Sequence, residues 1–383
     1  MDRFNRHRTL NNDIVSDFRV LQKLMDSDDG ASEAEKFLCE NLEKKGVPFD
    51  RRDEDREIMA TLGDISHGGC IAICANCCEI SGFDISPSGG ADKNRYRTGL
   101  CLQAAMALGA ISILKRKKEL AGTVKVLFQF DREAMFGRKP KDVSPADAVI
   151  GILPDSAGGE GRQSVKLGFL PGDFMPSVDF WEFVVKGKGG HAAYPQDCID
   201  PVAVACDIVR SFQYLIDREK DPVVPASISV DDIHAESMAF NIIADWCRIR
   251  GATRTFSEEF RNYLETRIER IVKELADLSG AESEIRYSHG LPCLCNDTAM
   301  TMDLMSHAGD ILGGERVVSV SRDYMTSTNF ADYAWRKKGT CIKFFVPGLY
   351  LPGRMYEDEL WCSSLFVAEA AARWLENRSP LHS

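Results

Sequence analysis

The sequence predicts an α/β protein, in which a doubly covered, mixed and largely parallel sheet carries an inserted ferredoxin-like α+β lid. Three observations support this fold class. Short apolar runs alternate with amphipathic stretches in residues 1–176 and again in residues 291–383, as in a sheet covered by helices on both faces. Residues 177–290 have a strand and helix order of their own. The length of 383 residues suits two units of ordinary size.

Hydrophobic periodicity defines the elements of the larger unit. Leu21, Leu24, Phe37 and Leu42 recur at helical spacing near the N-terminus. A loop at residues 86–93 precedes a buried helix at 99–117. Buried strands are predicted at residues 70–75, 123–130, 148–152 and 341–346, and a last helix at 358–376.

The inserted unit reads β-α-β-β-α-β, the ferredoxin-like order. Asp200 and Pro201 are typical of the N-cap and first position of its first helix. The second helix covers residues 260–275 and ends before Gly280. Its strands are predicted at residues 180–186, 227–233, 245–254 and 284–288.

Composition excludes several classes of function. The formal net charge of -11 argues against a nucleic-acid or anionic-membrane partner, because both need a basic surface. The polar N-terminus lacks the apolar core of a signal peptide, and no stretch approaches the roughly 20 apolar residues of a membrane span. We therefore expect a cytoplasmic protein whose thirteen cysteines are reduced thiols.

Four sequence elements in the inserted unit carry a family resemblance. Residues 187–195 read GKGGHAAYP and lead into the Asp-Pro pair at 200–201. Residues 218–222, 239–245 and 251–254 then read REKDP, AFNIIAD and GATR. In order and spacing, these elements resemble those of the aminoacylase and indole-acetyl-amino-acid hydrolase family, whose members are N-acyl-amino-acid amidohydrolases with a di-zinc metallopeptidase fold.

The resemblance implies a role for the inserted unit as a lid and as the interface of a homodimer. It also implies that His191, Asn241 and Arg254 reach the substrate. The chemistry agrees, since a guanidinium and an amide suit a carboxylate and a histidine polarises a carbonyl. We therefore expect a small-molecule ligand that bears a carboxylate.

The larger unit departs from the family pattern at the positions that would hold two zinc or manganese ions. Arg132 replaces the general base, while Glu133 remains at a ligand position. No histidine occurs in residues 349–355, where the last ligand is expected. The other replaced positions are Asn76 and Cys78 for two aspartates, Thr98, Leu100, Cys101 and Gln103 in the first ligand motif, Leu153 for a histidine, and Thr328 and Asn329 for an acidic pair.

These replacements predict a chain without a metal cofactor. Leucine offers no lone pair to zinc, and one glutamate cannot hold two dications. Arginine stays protonated, so Arg132 cannot act as a base. We predict instead that Arg132 supplies positive charge beside Glu133, and that these two and His191 are the catalytic candidates if the chain is active.

Three functions remain open from the sequence. The leading hypothesis is a ligand-binding homologue, either a pseudoenzyme or a catalyst of metal-independent chemistry. The second is an active amidohydrolase with a rebuilt metal or cysteine site, and the third is a non-catalytic partner of an active paralogue. The cysteines that a rebuilt site would use are Cys70, Cys74, Cys77, Cys78 and Cys101.

Overall fold

The structure is a computed structural model that describes residues 2–25, 29–52, 56–64, 68–77, 93–130, 143–156, 164–322, 327–335, 337–347 and 356–378. Side chains are described from residue 10 in the first helix and from residue 98 in the third. The first part of the larger unit contains α1 (Asp2–Met25), α2 (Gly30–Lys44), β1 (Phe49–Arg52), β2 (Glu57–Leu62), β3 (Gly69–Asn76), α3 (Lys93–Leu114), β4 (Gly122–Gln129), β5 (Ala148–Ser156), β6 (Lys166–Phe169) and β7 (Gly172–Met175).

The lid and the return to the larger unit follow in the chain. The lid contains β8 (Asp179–Lys186), β9 (Gly190–His191), α4 (Pro201–Arg218), β10 (Ala226–Ala235), β11 (Ile242–Ile243), β12 (Trp246–Thr255), α5 (Glu258–Leu278) and β13 (Glu282–His289). The larger unit closes with β14 (Leu294–Asn296), α6 (Thr298–Leu312), β15 (Val317–Ser319), α7 (Phe330–Ala334), β16 (Lys338–Val346) and α8 (Glu357–Glu376). No helix in these described parts is long and apolar enough to cross a bilayer.

The eight-stranded sheet of the larger unit has the order β1-β2-β4-β3-β5-β16-β6-β15. Its centre, β4-β3-β5-β16, is parallel, while β2 and β6 flank that centre in antiparallel pairing. The mixed, largely parallel sheet predicted from the sequence is therefore confirmed. The prediction missed β1, β2, β6, β7, β14 and β15, which are short or lie in charged surroundings.

The two faces of this sheet are buried by different elements. One face packs Ile71, Val126 and Ile342 into a large core with α1, α3 and α8. The opposite face packs Cys74 and Cys341 against β7, β14 and α7 in a smaller core. Side chains alternate between the two faces along a strand, so residues two apart face the same core and adjacent residues face opposite cores. The smaller core lies on the side of the lid connections.

The lid sheet has the order β10-β12-β8-β13 and is antiparallel throughout. Helices α4 and α5 cover one of its faces, which buries Trp181, Phe183 and Phe212. The side chain of Asp200 caps α4 by accepting the N–H of Val202 at 2.9 Å, as the sequence predicts. The ferredoxin-like lid is thereby confirmed.

Candidate functional site

A lateral row of residues crosses the larger sheet at the carboxyl ends of its parallel strands. Ligands of open α/β sheets bind outside this edge. Strand pairing aligns Gln129 with both Glu57 and Asn76, and Lys343 with Leu153. In the middle of the row, β3 pairs with β5 as far as Cys74 and Gly151. Asn76 and Leu153 each lie two residues beyond that pair, so they are neighbours in the row. We call these five the edge row: Glu57, Gln129, Asn76, Leu153 and Lys343.

The edge row faces the smaller core and mixes charged with neutral side chains. Glu57 is buried and accepts a hydrogen bond from the Tyr333 hydroxyl at 2.7 Å. Gln129 is 2% exposed, and within the described parts of the chain its Nε2 donor has no hydrogen-bond partner. The Lys343 ammonium is also buried and contacts the Asp155 carboxylate at 3.1 Å.

Leu100 and Cys101, from the first predicted ligand motif, lie inside the large core. They line an apolar gap of about 10 Å³ with Leu21, Met25 and Leu38. The amide oxygen of Gln103, from the same motif, accepts the N–H of Asn76 at 2.9 Å. These three positions thus serve packing and the end of β3.

The predicted cysteine site is split between the two cores. Cys70 and Cys74 belong to the smaller core, whereas Cys77 and Cys101 belong to the large one. Desolvation by burial raises the pKa of the Cys70 and Cys74 thiols, which suppresses the reactive thiolate. Four of the five cysteines therefore do not form one cluster, and Cys78 lies outside the described residues.

His191 and Asn241 meet in the lid, as the resemblance implies. Strands β9 and β11 pair His191 with Ile242, so the imidazole Nε2 lies 3.2 Å from the Asn241 amide nitrogen. The Ala193 N–H donates to Nδ1 at 3.1 Å. A main-chain N–H can only donate, so Nδ1 is an acceptor and a neutral ring carries its proton on Nε2. Asn241 accepts that proton through its amide oxygen only when the amide is rotated by half a turn, which exchanges its oxygen and nitrogen. Once Asn241 releases it, Nε2–H is a donor suited to a carbonyl oxygen.

Arg254 lies at the other end of the lid sheet, where the lid joins the larger unit. Its guanidinium donates to the Ser327 hydroxyl at 3.1 Å, and that hydroxyl donates to the carbonyl of Pro176 at 2.8 Å. Burial lowers the pKa of Arg254, and the charge of Asp231 opposes that shift. The guanidinium of Arg254 is therefore partly desolvated where the lid joins the larger unit.

The structure brings His191 and Asn241 together but not Arg254. Arg254 is eight residues from Trp246 on β12, a separation of roughly 26 Å at the usual rise of a strand. The pairing of β9 with β11 lies beyond the Trp246 end. One copy of the lid therefore cannot present all three side chains to one small ligand. Arg132 and Glu133 fall outside the described residues.

Comparisons with known proteins agree with this architecture. A family model described as a peptidase dimerisation domain of the M20 type matches residues 178–278. The putative amidohydrolase YhaA of Bacillus subtilis is 36% identical over 325 residues, which cover 82% of this chain and 79% of that relative. The chain belongs to the M20 amidohydrolase family. An N-acetyl-L-cysteine deacetylase of Bacillus subtilis is 28% identical over 306 residues, 76% of this chain and 71% of that protein.

Two solved structures share the fold along almost the whole chain. A putative aminohydrolase from methicillin-resistant Staphylococcus aureus superposes with a TM-score of 0.78 at 20% identity, covering 96% of this chain and 98% of that one. The YXEP protein of Bacillus subtilis, described as a dinuclear metal-binding M20 peptidase, gives a TM-score of 0.71 at 22% identity over 96% and 99% of the two chains.

The YXEP protein is described as binding two metal ions, and the described residues of this chain at the ligand positions that the resemblance assigns do not fit such ions. Leu100 and Leu153 pack in apolar cores, and the Gln103 oxygen is used by the main chain of β3. Across the described parts of the chain, no group of three or more His, Cys, Asp or Glu residues is placed to hold a metal ion.

Sequence reasoning missed two charged residues of the edge row, Lys343 and Glu57. The segment 341–346 was interpreted as an apolar strand, and Lys343 is the one charged residue within it. A charge inside a buried strand is rare unless it is paired, and that was the available signal. Its place beside Leu153 follows from the pairing of β5 with β16, which the sequence does not specify.

Proposed function

We propose that this M20 homologue binds a small carboxylate-bearing amide of the N-acyl-amino-acid type and has lost the dimetal hydrolytic centre. The observation that carries the proposal is Arg254. It reaches from the lid to Ser327 of the larger unit, three residues before Phe330, which packs in the smaller core together with Leu153. The proposed carboxylate receptor is thus combined with described ligand positions, Asn76 and Leu153, whose side chains do not bind zinc.

The state of Arg254 supports a carboxylate ligand. Among the described residues, Arg254 donates one hydrogen bond, from Nη1 to Ser327, and its planar guanidinium is suited to a bidentate carboxylate partner. Partial desolvation strengthens the attraction to an anion, since the local dielectric constant is lower than that of water. An amino-acid carboxylate matches this geometry.

A homodimer through the lid is the second part of the proposal. The pair His191–Asn241 is exposed, and Met238 and Phe240 beside it are 97% and 113% exposed. Large exposed apolar side chains of this kind mark protein–protein contacts. Because Arg254 lies at the far end of the sheet, a second copy is needed to bring His191 and Asn241 to the same ligand.

Active hydrolysis is the second candidate function, favoured by the relatives described as an amidohydrolase and a deacetylase. It requires a metal site completed by residues outside the described ranges, or a metal-independent route through Arg132 and Glu133. The roles of Arg132 and Glu133 stay predictions. Chelation distinguishes the metal-dependent route from the metal-independent one, because only a metal-dependent activity is lost with the ion.

A thermal-shift screen with N-acyl amino acids tests the proposal, run with and without a chelator. A ligand that binds the native state raises its stability by about 2.7 kcal/mol at a concentration of one hundred times Kd. We expect a rise in Tm that the chelator does not change, and no bound zinc or manganese by elemental analysis. Arg254→Ala should remove the shift, while Arg250→Ala, on the same strand and face, should retain it.

Two results would contradict the proposal. Stoichiometric metal together with chelator-sensitive hydrolysis would favour the active amidohydrolase. No shift with any N-acyl amino acid, combined with co-purification of an active homologue, would favour a structural partner.

A further inference from the structure

The loop before α7 lies toward the carboxyl ends of the parallel strands. At the far end of α7, Ala334 lies near the amino ends, because a Cβ built on Gly339, the second residue of β16, would be 2.8 Å from the Ala334 Cβ. At the near end, Phe330 covers Gly151 on β5, where a Cβ would be 2.7 Å from the Phe330 ring. Helix α7 therefore runs from the carboxyl side to the amino side of the sheet. Asn329, directly before Phe330, lies on the side of the edge row.

Asn329 is a buried carboxamide whose polar atoms are unsatisfied. It is 1% exposed, and in the described parts of the chain neither its Oδ1 acceptor nor its Nδ2 donor makes a hydrogen bond. In Asn296, the buried asparagine of β14, Nδ2 donates to the carbonyls of Leu170 and Cys341 at 2.9 and 3.2 Å, and Oδ1 accepts the Cys341 N–H at 2.8 Å. An unsatisfied buried polar atom is destabilising, so native proteins rarely keep one without a use.

The same loop carries the contact to the proposed carboxylate receptor. Ser327, two residues before Asn329, accepts from the Arg254 guanidinium at 3.1 Å. Two residues span at most about 7 Å, and a single carbon separates the carboxylate of an N-acyl amino acid from its amide nitrogen. A ligand whose carboxylate takes the place of Ser327 on Arg254 therefore brings its amide N–H within range of Asn329.

We propose that Asn329 is a specificity-determining residue that binds the N–H of the ligand's amide. This proposal rests on the proposed function and defines the part of the ligand next to its carboxylate. In an extended amino acid the N–H and the C=O point to the same side, as in the hydrogen-bonded pairs of an antiparallel sheet. One carboxamide matches both groups, because Oδ1 accepts the amide N–H and Nδ2 donates to a carboxylate oxygen. The remaining lone pairs of the carboxylate are left to Arg254.

The role of Asn329 defines the class of ligand as amides of α-amino acids that keep a free N–H. An ester has an oxygen in place of the N–H, so the Oδ1 acceptor of Asn329 would face a second acceptor and stay unpaired. Sites that are built to hydrogen-bond a donor reject analogues that lack it. An N-alkylated amide is rejected for the same reason.

A buried water is the structural alternative for Asn329, since ordered waters commonly satisfy such groups. The two explanations differ in ligand selectivity. A bound water affects the stability of the chain and leaves the preference between amide and ester unchanged. A ligand-binding carboxamide sets that preference. Asn329→Leu suits the comparison, because it replaces two unsatisfied polar atoms by an apolar group of similar size.

The test compares N-acetyl-L-leucine with the O-acetyl ester of L-leucic acid, which has the same side chain, carbonyl and carboxylate but no N–H. Titration calorimetry of the full chain gives both affinities for wild type, Asn329→Leu and Ser363→Ala. Ser363 is the matched control, because its buried hydroxyl also lacks a partner among the described residues but lies on α8, which packs in the large core. Asn329→Asp, which keeps an acceptor and loses the donor, is the second variant if Asn329→Leu does not fold.

We expect wild type to prefer N-acetyl-L-leucine over the ester by roughly tenfold to a hundredfold, the usual effect of leaving a buried acceptor unpaired. Asn329→Leu should abolish this preference. Asn329→Asp should retain the preference but bind both ligands more weakly, because its charge repels their carboxylate, and Ser363→Ala should behave as wild type. Equal affinities in wild type, or a preference that survives in Asn329→Leu or disappears in Asn329→Asp, would overturn the role of Asn329 and leave the proposed function intact. Failure of wild type to bind either ligand would overturn both.

Discussion

The strongest energetic prediction concerns Asp179, the buried carboxylate where the lid begins. It is fully buried and accepts from the Arg261 guanidinium at 2.5 and 2.9 Å, from the Gly290 N–H at 3.0 Å and from the Tyr287 hydroxyl at 3.2 Å. Asp179→Ala removes the acceptor for all three groups. Arg261, which is 5% exposed, keeps the Glu258 carboxylate at 3.1 Å and the carbonyl of Gly290 at 3.4 Å.

The size of the effect follows from this geometry. Removing one partner of a buried ion pair costs about 3–5 kcal/mol. Because Glu258 still compensates the Arg261 charge, we expect a loss of about 3 kcal/mol, at the lower end of that range. Urea unfolding followed by circular dichroism measures it as a lower midpoint.

The control is Glu274→Ala, because Glu274 lies on α5, the helix that also carries Arg261. Glu274 pairs with Arg270 at 2.7 Å, but both side chains are more than half exposed. Exposed pairs of this spacing contribute only about 0.3–0.5 kcal/mol. A loss below about 1 kcal/mol for Asp179→Ala would show that the network does not anchor the lid and would refute the reasoning.

Three further predictions concern the lid. Hydrogen bonding from Arg267 lowers the pKa of Glu219 to about 2. Because the pKa of a glutamate in the unfolded state is about 4.3, the stabilisation from the Glu219 carboxylate is complete above pH 4.3 and is lost as the pH falls through about 2. Glu219→Gln should therefore flatten the acid-unfolding curve in this window, and an unchanged curve would exclude the ion pair as its source. Asp200→Ala should lower stability by about 1 kcal/mol through loss of the N-cap, while Asp200→Ser should restore most of it in the same denaturation assay. If the proposed dimer forms through the lid, Phe240→Asp should convert it to monomer in light scattering, and a variant that stays dimeric would place the interface elsewhere.

The sequence was sufficient for the fold because its signals are local. The alternation in β12 and the cap at Asp200 specify the elements where they occur. Strand β2, which carries Glu57, escaped prediction because charged residues surround its apolar core. In the long helices and strands, the local sequence preference agrees with the observed structure, so tertiary contacts did not change the type of element.

The site was harder to predict because it depends on long-range register. The motifs containing Asn241 and Arg254 are close in sequence, yet the whole length of β12 separates them. Strand parity alone would have divided Cys70 and Cys74 from Cys77, because residues an odd number apart face opposite sides. Lys343 becomes a site candidate only once β16 is placed beside β5.

The proposed absence of the dimetal centre agrees with electrostatics, which favours neutral residues at the positions of its acidic ligands when no metal is bound. Carboxylates at Asn76, Cys101 and Asn329 without cations would leave several negative charges in a site of low dielectric constant, which is strongly destabilising. Neutral residues at these positions avoid that penalty, and the charges of the described edge are then Lys343 paired with Asp155 at one end and Glu57 at the other. The neutral residues at the ligand positions therefore support the proposed binding site without metals.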